Sequence, residues 1–403
     1  MKKKILISAH TLRLGGVERS FLGILQSIDY SKYDVDVFLH KHDGELLKFL
    51  PNEVNLLPEN KNCELLLEPI FSSIKSGYFR AFFTKLIAKI YSHFYTIFHQ
   101  KDSSKLDSLA HFHLHKIADF FFPKISKKKY DTVIAFLHPN FTERNKFSAK
   151  KYLSFIHTDY TAINIDYQGE LKMWKRYDMI AGVSEEVSNN FKLIFPVLSK
   201  KVHSIENIIS KDFLKIQSEE KIDDDMFFVK ENQLCLLSIG RFSYPKNFDN
   251  IPFIAKRMKE KKIDFKWFII GFGGDEDLIK RNIKIAKVEN EVIVLGKREN
   301  PYPYIIACDY YIQPSRFEGK AVTVSEAQIL KKPVFIADYS TAKSQVNNGV
   351  DGFILPLNSI DFAEKFVEII NDREKILNVV NNLEQFDFTN SKEIKKIEQF
   401  IEG

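Results

Sequence analysis

Short apolar runs alternate with amphipathic stretches along most of the chain. Runs of this kind, separated by helical patterns of about 10–15 residues, are typical of parallel strands with helical crossovers. A first series comprises Lys4–Ala9, Tyr33–Leu39, Thr132–Phe136, Tyr152–Ile156 and Met179–Val183. A second series comprises Leu234–Ile239, Phe265–Ile270, Val292–Leu295, Tyr310–Gln313 and Val334–Ala337. The two series predict an α/β protein with two doubly wound halves.

A chain of 403 residues is too long for one core and suits two domains. The charged stretch Lys211–Lys230 separates the two series and is interpreted as a linker or a surface excursion. We therefore expect an N-terminal domain at residues 1–207 and a C-terminal domain at 208–385, with residues 386–403 forming a helix that packs back on the first domain. In two-lobed α/β proteins the ligand lies beside the carboxyl ends of the strands, which predicts a central cleft.

Composition and charge narrow the setting. Cys63, Cys235 and Cys308 lie far apart in apolar runs, and we interpret them as buried thiols of a reducing compartment. The N-terminal apolar run is too short for a signal peptide, and no segment approaches the ~20 apolar residues of a membrane span, so a cytoplasmic protein is expected. The net charge is +6, and its excess of Lys and Arg is concentrated in residues 61–129, which indicates an anionic partner surface.

Within that basic region, pairs of apolar residues recur every four positions from Tyr78 to Phe98. A helix turns by about 100° per residue, so such a stripe winds around the helix and one flat core cannot cover it. Basic side chains lie between the apolar pairs and after them, at Arg80, Lys85, Lys89, His93, Lys124 and Lys127–Lys129. This pattern predicts a membrane-facing insertion at residues 61–129, peripherally bound to anionic headgroups. The alternative is a helix buried on most sides, while nucleic acid is disfavoured because no recognition module is present.

Two glycine turns follow predicted strands. In the run Leu14-Gly15-Gly16-Val17-Glu18-Arg19, the glycines open a helix and let the backbone approach an anion, although a purely structural turn is the alternative. Gly271 begins a second turn, which lacks the sixth-position glycine of a dinucleotide fingerprint because Glu276 stands there. A dehydrogenase is therefore disfavoured.

Arg241 and Lys246 lie in the loop that follows Leu234–Ile239. Arg as a planar fork and Lys as a point charge can hold a diphosphate from two sides. The alternative for these two residues alone is a pair of solvated surface cations.

The most informative stretch contains Glu318 and Glu326, eight positions apart around a glycine turn that opens a helix. The free N–H groups of the turn can bind phosphate, and the carboxylates can accept bonds from sugar hydroxyls. The amides in question belong to Gly319, Lys320, Ala321 and Val322. The combination suits a phosphorylated sugar as ligand.

No metal is expected. The acidic triplets Asp34-Val35-Asp36 and Asp275-Glu276-Asp277 fall in a predicted strand and at a predicted helix start, where acidic residues suit the helix dipole. His111, His113 and His115 alternate in a helix-like region, and we interpret them as surface or lipid-proximal side chains.

The stretch around Glu318…Glu326, continued by Lys331-Lys332-Pro333-Val334 and Gly349-Val350-Asp351-Gly352-Phe353, resembles the retaining GT-B glycosyltransferases of family 4 (glycosyl transferases group 1). The sequence from Glu318 to Val324 is similar to that of the subgroup that acts in bacterial capsule, exopolysaccharide and O-antigen synthesis. In the N-terminal half the resemblance rests on Gly15-Gly16 and on His157, and it does not extend to residues 61–129. The implied fold is GT-B, two Rossmann-like domains facing a central cleft.

The resemblance also implies roles. Arg241 and Lys246 would hold the donor diphosphate, Glu318 would orient the transferred sugar, and Glu326 would bind the ribose. His157 would lie near the reacting sugar, and Gly16 would make room for the phosphates. Gly15 and Gly271 would also contact the donor. Lys297 and Arg298 would lie against the base. Whether Lys320 faces the donor or the surface is left open. Each of these roles is expected from the resemblance.

The expected activity is transfer of a sugar from a nucleotide-sugar, a UDP-sugar, to a lipid-linked glycan with retention of configuration and without metal or other cofactor. The departing phosphate takes the proton of the acceptor on the same face, and fixed cations stabilise its growing charge. The alternatives are a sugar-nucleotide epimerase on the same scaffold and a catalytically silent subunit that binds donor or membrane. The expected partners are the donor, the lipid-linked acceptor and the anionic inner face of the plasma membrane.

Overall fold

The computed structural model describes residues 2–13, 15–99, 101–102, 105–136 and 141–403. The chain divides into two compact units, one formed by Met1–Ile208 together with Ser391–Gly403 and the other by Ile209–Asn390. Each unit has its own apolar core around a parallel sheet.

The strands of the N-terminal unit are β1 (Lys3–Ala9), β2 (Tyr33–Leu39), β3 (Asn55–Leu56), β4 (Leu106–Asp107), β5 (Lys129–Ala135), β6 (Ser148–Ile156), β7 (Ile163–Asn164), β8 (Met179–Gly182) and β9 (Val202–Ser204). Seven of them form a parallel sheet in the order β3-β2-β1-β5-β6-β8-β9, and β4 pairs separately with β7. On the central strand β1, Ile5, Leu6 and Ile7 are fully buried. Helices cover both faces of such a sheet, which is why its strands are continuous apolar runs.

The helices of this unit connect and cover its strands. They are α1 (Gly16–Ser27), α2 (Lys61–Leu66), α3 (Ile70–Lys75), α4 (Phe79–Phe98), α5 (Leu109–Phe121), α6 (Phe141–Lys146), α7 (Tyr167–Trp174) and α8 (Glu185–Ile194).

The C-terminal unit repeats this architecture. Its strands are β10 (Leu234–Ile239), β11 (Phe265–Ile270), β12 (Val292–Gly296), β13 (Tyr310–Gln313), β14 (Val334–Ala337) and β15 (Phe353–Leu355). They form one parallel sheet in the order β12-β11-β10-β13-β14-β15. Its helices are α9 (Lys211–Ser218), α10 (Ile251–Glu260), α11 (Glu276–Ala286), α12 (Tyr302–Ala307), α13 (Val322–Ile329), α14 (Ala342–Gln345), α15 (Ser359–Ile370) and α16 (Arg373–Gln385).

All ten predicted strands are present in these sheets, five of them with the predicted bounds. The interpretation of Lys211–Lys230 as a linker is wrong in its first part. Lys211–Ser218 forms α9, whose Leu214 is fully buried in the C-terminal core. Ser210 caps this helix through a bond from the Phe213 N–H to its hydroxyl, so the segment is an integral element of the C-terminal unit.

The last helix, α17 (Ile394–Glu402), returns to the N-terminal unit. Its Ile397 and Ile401 are buried in the N-terminal core. The ammonium of Lys3 donates to the Ile401 carbonyl at 2.9 Å and forms an ion pair with Glu402 at 3.0 Å, which joins the two ends of the chain.

Helix α4 carries its apolar side chains outward. The side chains on its inner face are small or polar, namely Ala81, Thr84, Lys85, Ala88 and Ser92. The exposed apolar side chains are Phe79, Phe83, Ile87, Ile90, Tyr91, Phe94, Ile97 and Phe98, which we call the α4 apolar face. Phe94 and Phe98 are 55% and 77% exposed. The alternative of a helix buried on most sides is therefore wrong.

Two of the cations that the sequence suggested for lipid contact are used inside the protein. Lys85 is buried and donates to the Glu68 carbonyl at 2.6 Å. Lys128 forms an ion pair at 2.8 Å with the buried Asp36. Arg80 and Lys89, in contrast, are exposed beside the α4 apolar face. Among the described helices none is long and apolar enough to cross a membrane.

The docking of α17 can be tested at Ile397. We expect Ile397→Ala to lower the free energy of unfolding of the N-terminal unit by about 2–5 kcal/mol, because a buried branched side chain is lost and a cavity remains. The only two tryptophans are Trp174 in the N-terminal unit and Trp267 in the C-terminal unit, so fluorescence in a Trp267→Phe background reports the N-terminal unit. The exposed Gln399→Ala on the same helix is the control. Equal unfolding midpoints for both variants would contradict the docking of α17.

Candidate functional site

The loops after β10 and β13 are joined to each other. The two strands are adjacent and parallel, so their carboxyl ends lie at the same edge of the sheet. The Arg316 N–H donates to the Pro245 carbonyl at 2.8 Å, and the Asn247 amide donates to the Pro314 carbonyl at 2.8 Å. An ion pair of 2.9 Å between Arg316 and Asp249 adds a third link. The predicted cations and the predicted carboxylate Glu318 therefore belong to one rigid loop pair.

The carboxylate of Glu318 is held by three donors at this edge. Its Oε1 accepts bonds from Lys246 Nζ at 2.6 Å, Ser315 Oγ at 2.7 Å and Gln313 Nε2 at 3.2 Å. The Glu318 side chain is only 10% exposed, and that of Lys246 is 23% exposed. Because Ser315 and Gln313 are fully buried, they fix the position of the carboxylate.

Lys246 and Arg241 differ in their surroundings. Lys246 is engaged by Glu318, whereas Arg241 is exposed directly after Gly240. In the part of the chain that the structure describes, the guanidinium of Arg241 makes no hydrogen bond or ion pair. One cation is thus held in place, and the other is available to an anion.

The turn before α13 is partly closed. The Ala321 N–H donates to the side-chain oxygen of Gln345 at 2.9 Å, and the Gln345 amide donates back to the Ala321 carbonyl at 2.6 Å. The prediction that the amides from Gly319 to Val322 are all free is therefore wrong for Ala321. The helix begins at Val322, as predicted, and Lys320 is half-buried.

Glu326 lies inside the C-terminal unit. It is fully buried on α13 and accepts a bond of 3.0 Å from the Tyr302 hydroxyl. A ribose bound by this carboxylate would share it with Tyr302. The ribose role of Glu326 stays a prediction.

Gly271 has a packing role. Its φ is +154°, and a Cβ there would lie 1.8 Å from the Gly240 carbonyl oxygen. A side chain would therefore force apart the loops that follow β10 and β11. This contact explains why a glycine is required here, and the donor-binding role of Gly271 stays a prediction.

The two cations after β12 are oriented differently. Arg298 forms an ion pair with Asp224 at 2.6 Å and donates to the Leu295 carbonyl. Lys297 is exposed, with its ammonium 5.6 Å from the ring centroid of Phe272. Arg298 is thereby anchored to the protein, and Lys297 extends from the same loop.

In the N-terminal unit, His157 follows β6, and its Nε2 lies 2.7 Å from the Phe136 carbonyl. That bond makes Nε2 the protonated nitrogen. Burial lowers the pKa of His157 from 6.5 to about 4, so the ring is neutral at pH 7.

The glycine turn before α1 has the predicted position, since the helix begins at Gly16. Glu18 folds back over the turn, and a Cβ on Gly15 would meet its carboxylate at 2.1 Å. Leu14 lies outside the described residues. The phosphate role of Gly16 stays a prediction.

The histidines of α5 are not all surface side chains. His113 and His115 are buried, whereas His111 is exposed. His113 Nε2 lies 3.5 Å from the Asp166 carboxylate. The interpretation of all three as surface or lipid-proximal is therefore wrong for two of them.

The sequence did not identify the groups that hold the predicted carboxylates and amides. These groups are Gln313, Ser315, Tyr302 and Gln345. Gln313 and Ser315 carried a usable signal, because polar side chains at the carboxyl end of a buried strand are candidates for a site. Tyr302 and Gln345 each lie 24 positions from their partner and carried no local signal.

Comparison with known families gives one partial match. Residues 220–386 match the family described as glycosyl transferases group 1. A galactosyltransferase of Escherichia coli, UDP-Gal:alpha-D-GlcNAc-diphosphoundecaprenol alpha-1,3-galactosyltransferase, is 29% identical over 158 residues, which cover 38% of this chain and 40% of the relative. The poly(ribitol-phosphate) alpha-N-acetylglucosaminyltransferase of Staphylococcus aureus is 24% identical over 58% of this chain and 46% of the relative. The matches thus span less than half of either relative.

Solved glycosyltransferase structures match the complete chain. S. aureus TarM in complex with UDP and glycan ligands aligns with a TM-score of 0.68 and 13% identity over 100% of both chains. A glycosyltransferase of Rickettsia africae aligns with a TM-score of 0.67 and 17% identity over 99% of this chain and 98% of its own. These likenesses show the fold, which is GT-B. The chain therefore has the fold of these glycosyltransferases, and its residues 220–386 are similar to group 1 of that class.

Proposed function

We propose that the chain is a retaining glycosyltransferase of the family 4 type. It transfers a sugar from a UDP-sugar to a lipid-linked glycan in the synthesis of a bacterial surface polysaccharide of the capsule, exopolysaccharide or O-antigen kind. The observation that carries the proposal is the Lys246–Glu318 ion pair, set between two buried hydrogen-bond donors at the carboxyl ends of β10 and β13.

This pair matches the two halves of a sugar diphosphate. An entering diphosphate takes over Lys246, because its charge exceeds that of one carboxylate. Glu318 then accepts bonds from the hydroxyls of the sugar, while Ser315 and Gln313 keep its position. The exposed Arg241 meets the diphosphate from the solvent side. The resting ion pair is thus exchanged for two ligand contacts.

The chemical step needs no protein nucleophile in this proposal. As the glycosidic bond breaks, negative charge grows on the leaving diphosphate, and Lys246 with Arg241 stabilises it. The bond from the anomeric carbon to the diphosphate breaks, and the acceptor oxygen forms its bond to that carbon on the face of the sugar from which the diphosphate leaves. An oxygen of the departing diphosphate accepts the proton of the acceptor hydroxyl there, so the anomeric configuration is retained. We propose that this donor site works without a metal or other cofactor, because cations of the protein do the electrostatic work.

Two relatives support the choice of donor and acceptor. The printed name of the E. coli relative gives UDP-Gal as donor and a diphosphoundecaprenol-linked sugar as acceptor. A Campylobacter jejuni relative, 28% identical over 28% of this chain, is named for transfer to a diphospho-undecaprenol-linked acceptor. We extend this acceptor class to the present chain.

The α4 apolar face supports a peripheral position on the inner face of the plasma membrane. Monomeric proteins rarely expose apolar patches of more than a few hundred Å² without a binding role. The exposed Arg80 and Lys89 border the face, and Lys124 and Lys127 are exposed after α5. Aromatic side chains rimmed by cations suit an interface with anionic lipid. A cytoplasmic protein bound there would reach a lipid-linked acceptor directly.

The roles of Glu318 and Arg241 can be separated by mutation. Glu318→Gln keeps the size of the side chain but removes its charge, and we expect turnover to fall more than tenfold, which is over ~1.4 kcal/mol. UDP affinity should stay equal or rise, because Lys246 loses its competing partner. Arg241→Ala should instead weaken UDP binding. Titration calorimetry and a transfer assay measure the two effects, with the exposed Glu299→Gln as control. Parallel losses of turnover and UDP affinity in Glu318→Gln would contradict its assignment to the sugar.

Membrane binding can be tested at Phe83 and Phe94. Because both are exposed, we expect Phe83→Ser with Phe94→Ser to leave the melting temperature nearly unchanged and to abolish flotation with anionic vesicles. Arg80→Gln and Lys89→Gln should each weaken binding by about 1 kcal/mol. The control is Leu193→Ser with Phe228→Ser, two exposed apolar residues outside this region. Undiminished flotation of the Phe83/Phe94 variant would exclude the α4 apolar face as the contact.

The neutral state of His157 predicts a pH dependence of stability. In the unfolded chain His157 takes up a proton below pH 6.5, whereas in the folded chain it does so only near pH 4. The contribution of neutral His157 to the free energy of unfolding is therefore complete above pH 6.5. It is lost as the pH falls towards 4, which lowers the free energy of unfolding by up to ~3 kcal/mol. Denaturant unfolding at pH 7 and 4.5 should show a smaller loss for His157→Gln than for the wild type. The exposed His203→Gln should retain the wild-type loss, and an identical loss in His157→Gln would place the proton uptake elsewhere.

A further inference from the structure

Four histidines meet in the N-terminal unit at the carboxyl ends of two neighbouring strands. His10 follows β1 and His40 follows β2, while His111 and His115 lie on α5. Because His111 and His115 are four positions apart, they share one face of the helix. The rings of His111 and His115 are 4.5 Å apart between centroids, and those of His10 and His40 are 4.6 Å apart. None of these residues has a role in the proposed transfer.

Three of these rings have the arrangement of metal ligands. One ring nitrogen each of His10, His111 and His115 lies within 4.8 Å of the other two. A tetrahedral zinc ion with bonds of about 2.0–2.1 Å requires its nitrogens to be about 3.4 Å apart. Binding therefore requires the nitrogens to approach one another by up to about 1.4 Å. His111 is exposed and His115 is buried, so the cluster has both an entry path and a fixed inner ligand.

His40 provides an independent observation. It is fully buried, and within the described residues neither of its ring nitrogens makes a hydrogen bond. Its Nε2 is 3.9 Å from the carboxylate of the buried Glu143. Its ring lies beside that of His10 and 6.2 Å from that of His115. A buried imidazole without a hydrogen bond from the protein is unfavourable unless a bound ion or an ordered water satisfies it.

We propose that His10, His111 and His115 bind a divalent transition-metal ion of the zinc type beside the buried His40. Imidazole nitrogen is a preferred ligand of zinc, and the same set binds cobalt(II). The ion joins α5 to the carboxyl ends of β1 and β2. Since α5 packs on α4, the ion would also stabilise the position of the helix that carries the α4 apolar face.

This inference replaces, for the N-terminal unit, the sequence-based expectation that the chain binds no metal. That expectation rested on the alternation of His111, His113 and His115. The spacing of the outer two is one helical turn, and His10 joins them only through the fold. The metal site shares no residue with the proposed donor site, whose Lys246–Glu318 pair lies in the C-terminal unit.

The test uses the full chain after chelation and dialysis. Zinc titrated by calorimetry should bind as one ion per chain, and cobalt(II) should give the strong visible absorption of a tetrahedral site. Zinc should also raise the melting temperature, because it binds the folded state. We expect His111→Ala to weaken zinc binding at least tenfold without loss of fold, since this side chain is exposed. His10→Ala should do the same.

The matched control is His203→Ala, an exposed histidine on β9, which should bind zinc as the wild type does. Absence of zinc binding by the wild type would overturn the proposal. Equal affinity in the wild type, His111→Ala and His203→Ala would also overturn it, as adventitious binding elsewhere. UDP titration of each variant gives an independent readout, so failure of the metal site and failure of the donor site remain distinguishable.

Discussion

The parallel direction of all strands in both main sheets decides where chemistry can occur in this molecule. A parallel strand requires a crossover, and each crossover begins with a loop at the same edge of the sheet. The loop pair after β10 and β13 and the histidines after β1 and β2 are both consequences of this constraint. In each unit the apolar strands fill the core. The residues that follow them lie at the sheet edge where ligands bind in folds of this kind.

At the loop pair after β10 and β13 this constraint produces a strong ion pair, which any ligand bound there would have to replace. Lys246 and Glu318 are far apart in the sequence, yet they form a short ion pair because their strands are neighbours. The pair satisfies two partly buried charges, which would otherwise be costly to desolvate. A ligand that carries both an anion and several hydroxyls can compensate both partners at once. A ligand with only one of these groups leaves the other charge unpaired, so the resting pair also favours selectivity.

The sequence predicted the long strands and the loops that carry Arg241, Lys246 and Glu318, because buried parallel strands have a strong apolar signal. It did not predict β3, β9 or β15, which have only two or three residues each. Nor could it assign Lys85 to the interior. A cation is buried only where the fold supplies acceptors for it, and here the acceptor is the Glu68 carbonyl. The bonds from Tyr302 to Glu326 and from Gln345 to Ala321 are equally beyond local patterns. The positions of the long strands thus followed from residue patterns, whereas the partners of buried polar groups followed from the fold.

Helix α4 inverts the usual arrangement of an amphipathic helix, and its small inner side chains explain how. Ala81, Ala88 and Ser92 recur at intervals of seven and four positions, which lets the helix approach its neighbours closely with little apolar area to bury there. The large side chains are therefore not needed for the packing of the helix. Their outward position costs stability in water, since each exposed ring forgoes burial worth about 1.5–3 kcal/mol. These exposed rings on one surface are the basis of the proposed contact with a membrane, and the exposed Arg80 and Lys89 beside them are the reason for proposing an anionic one.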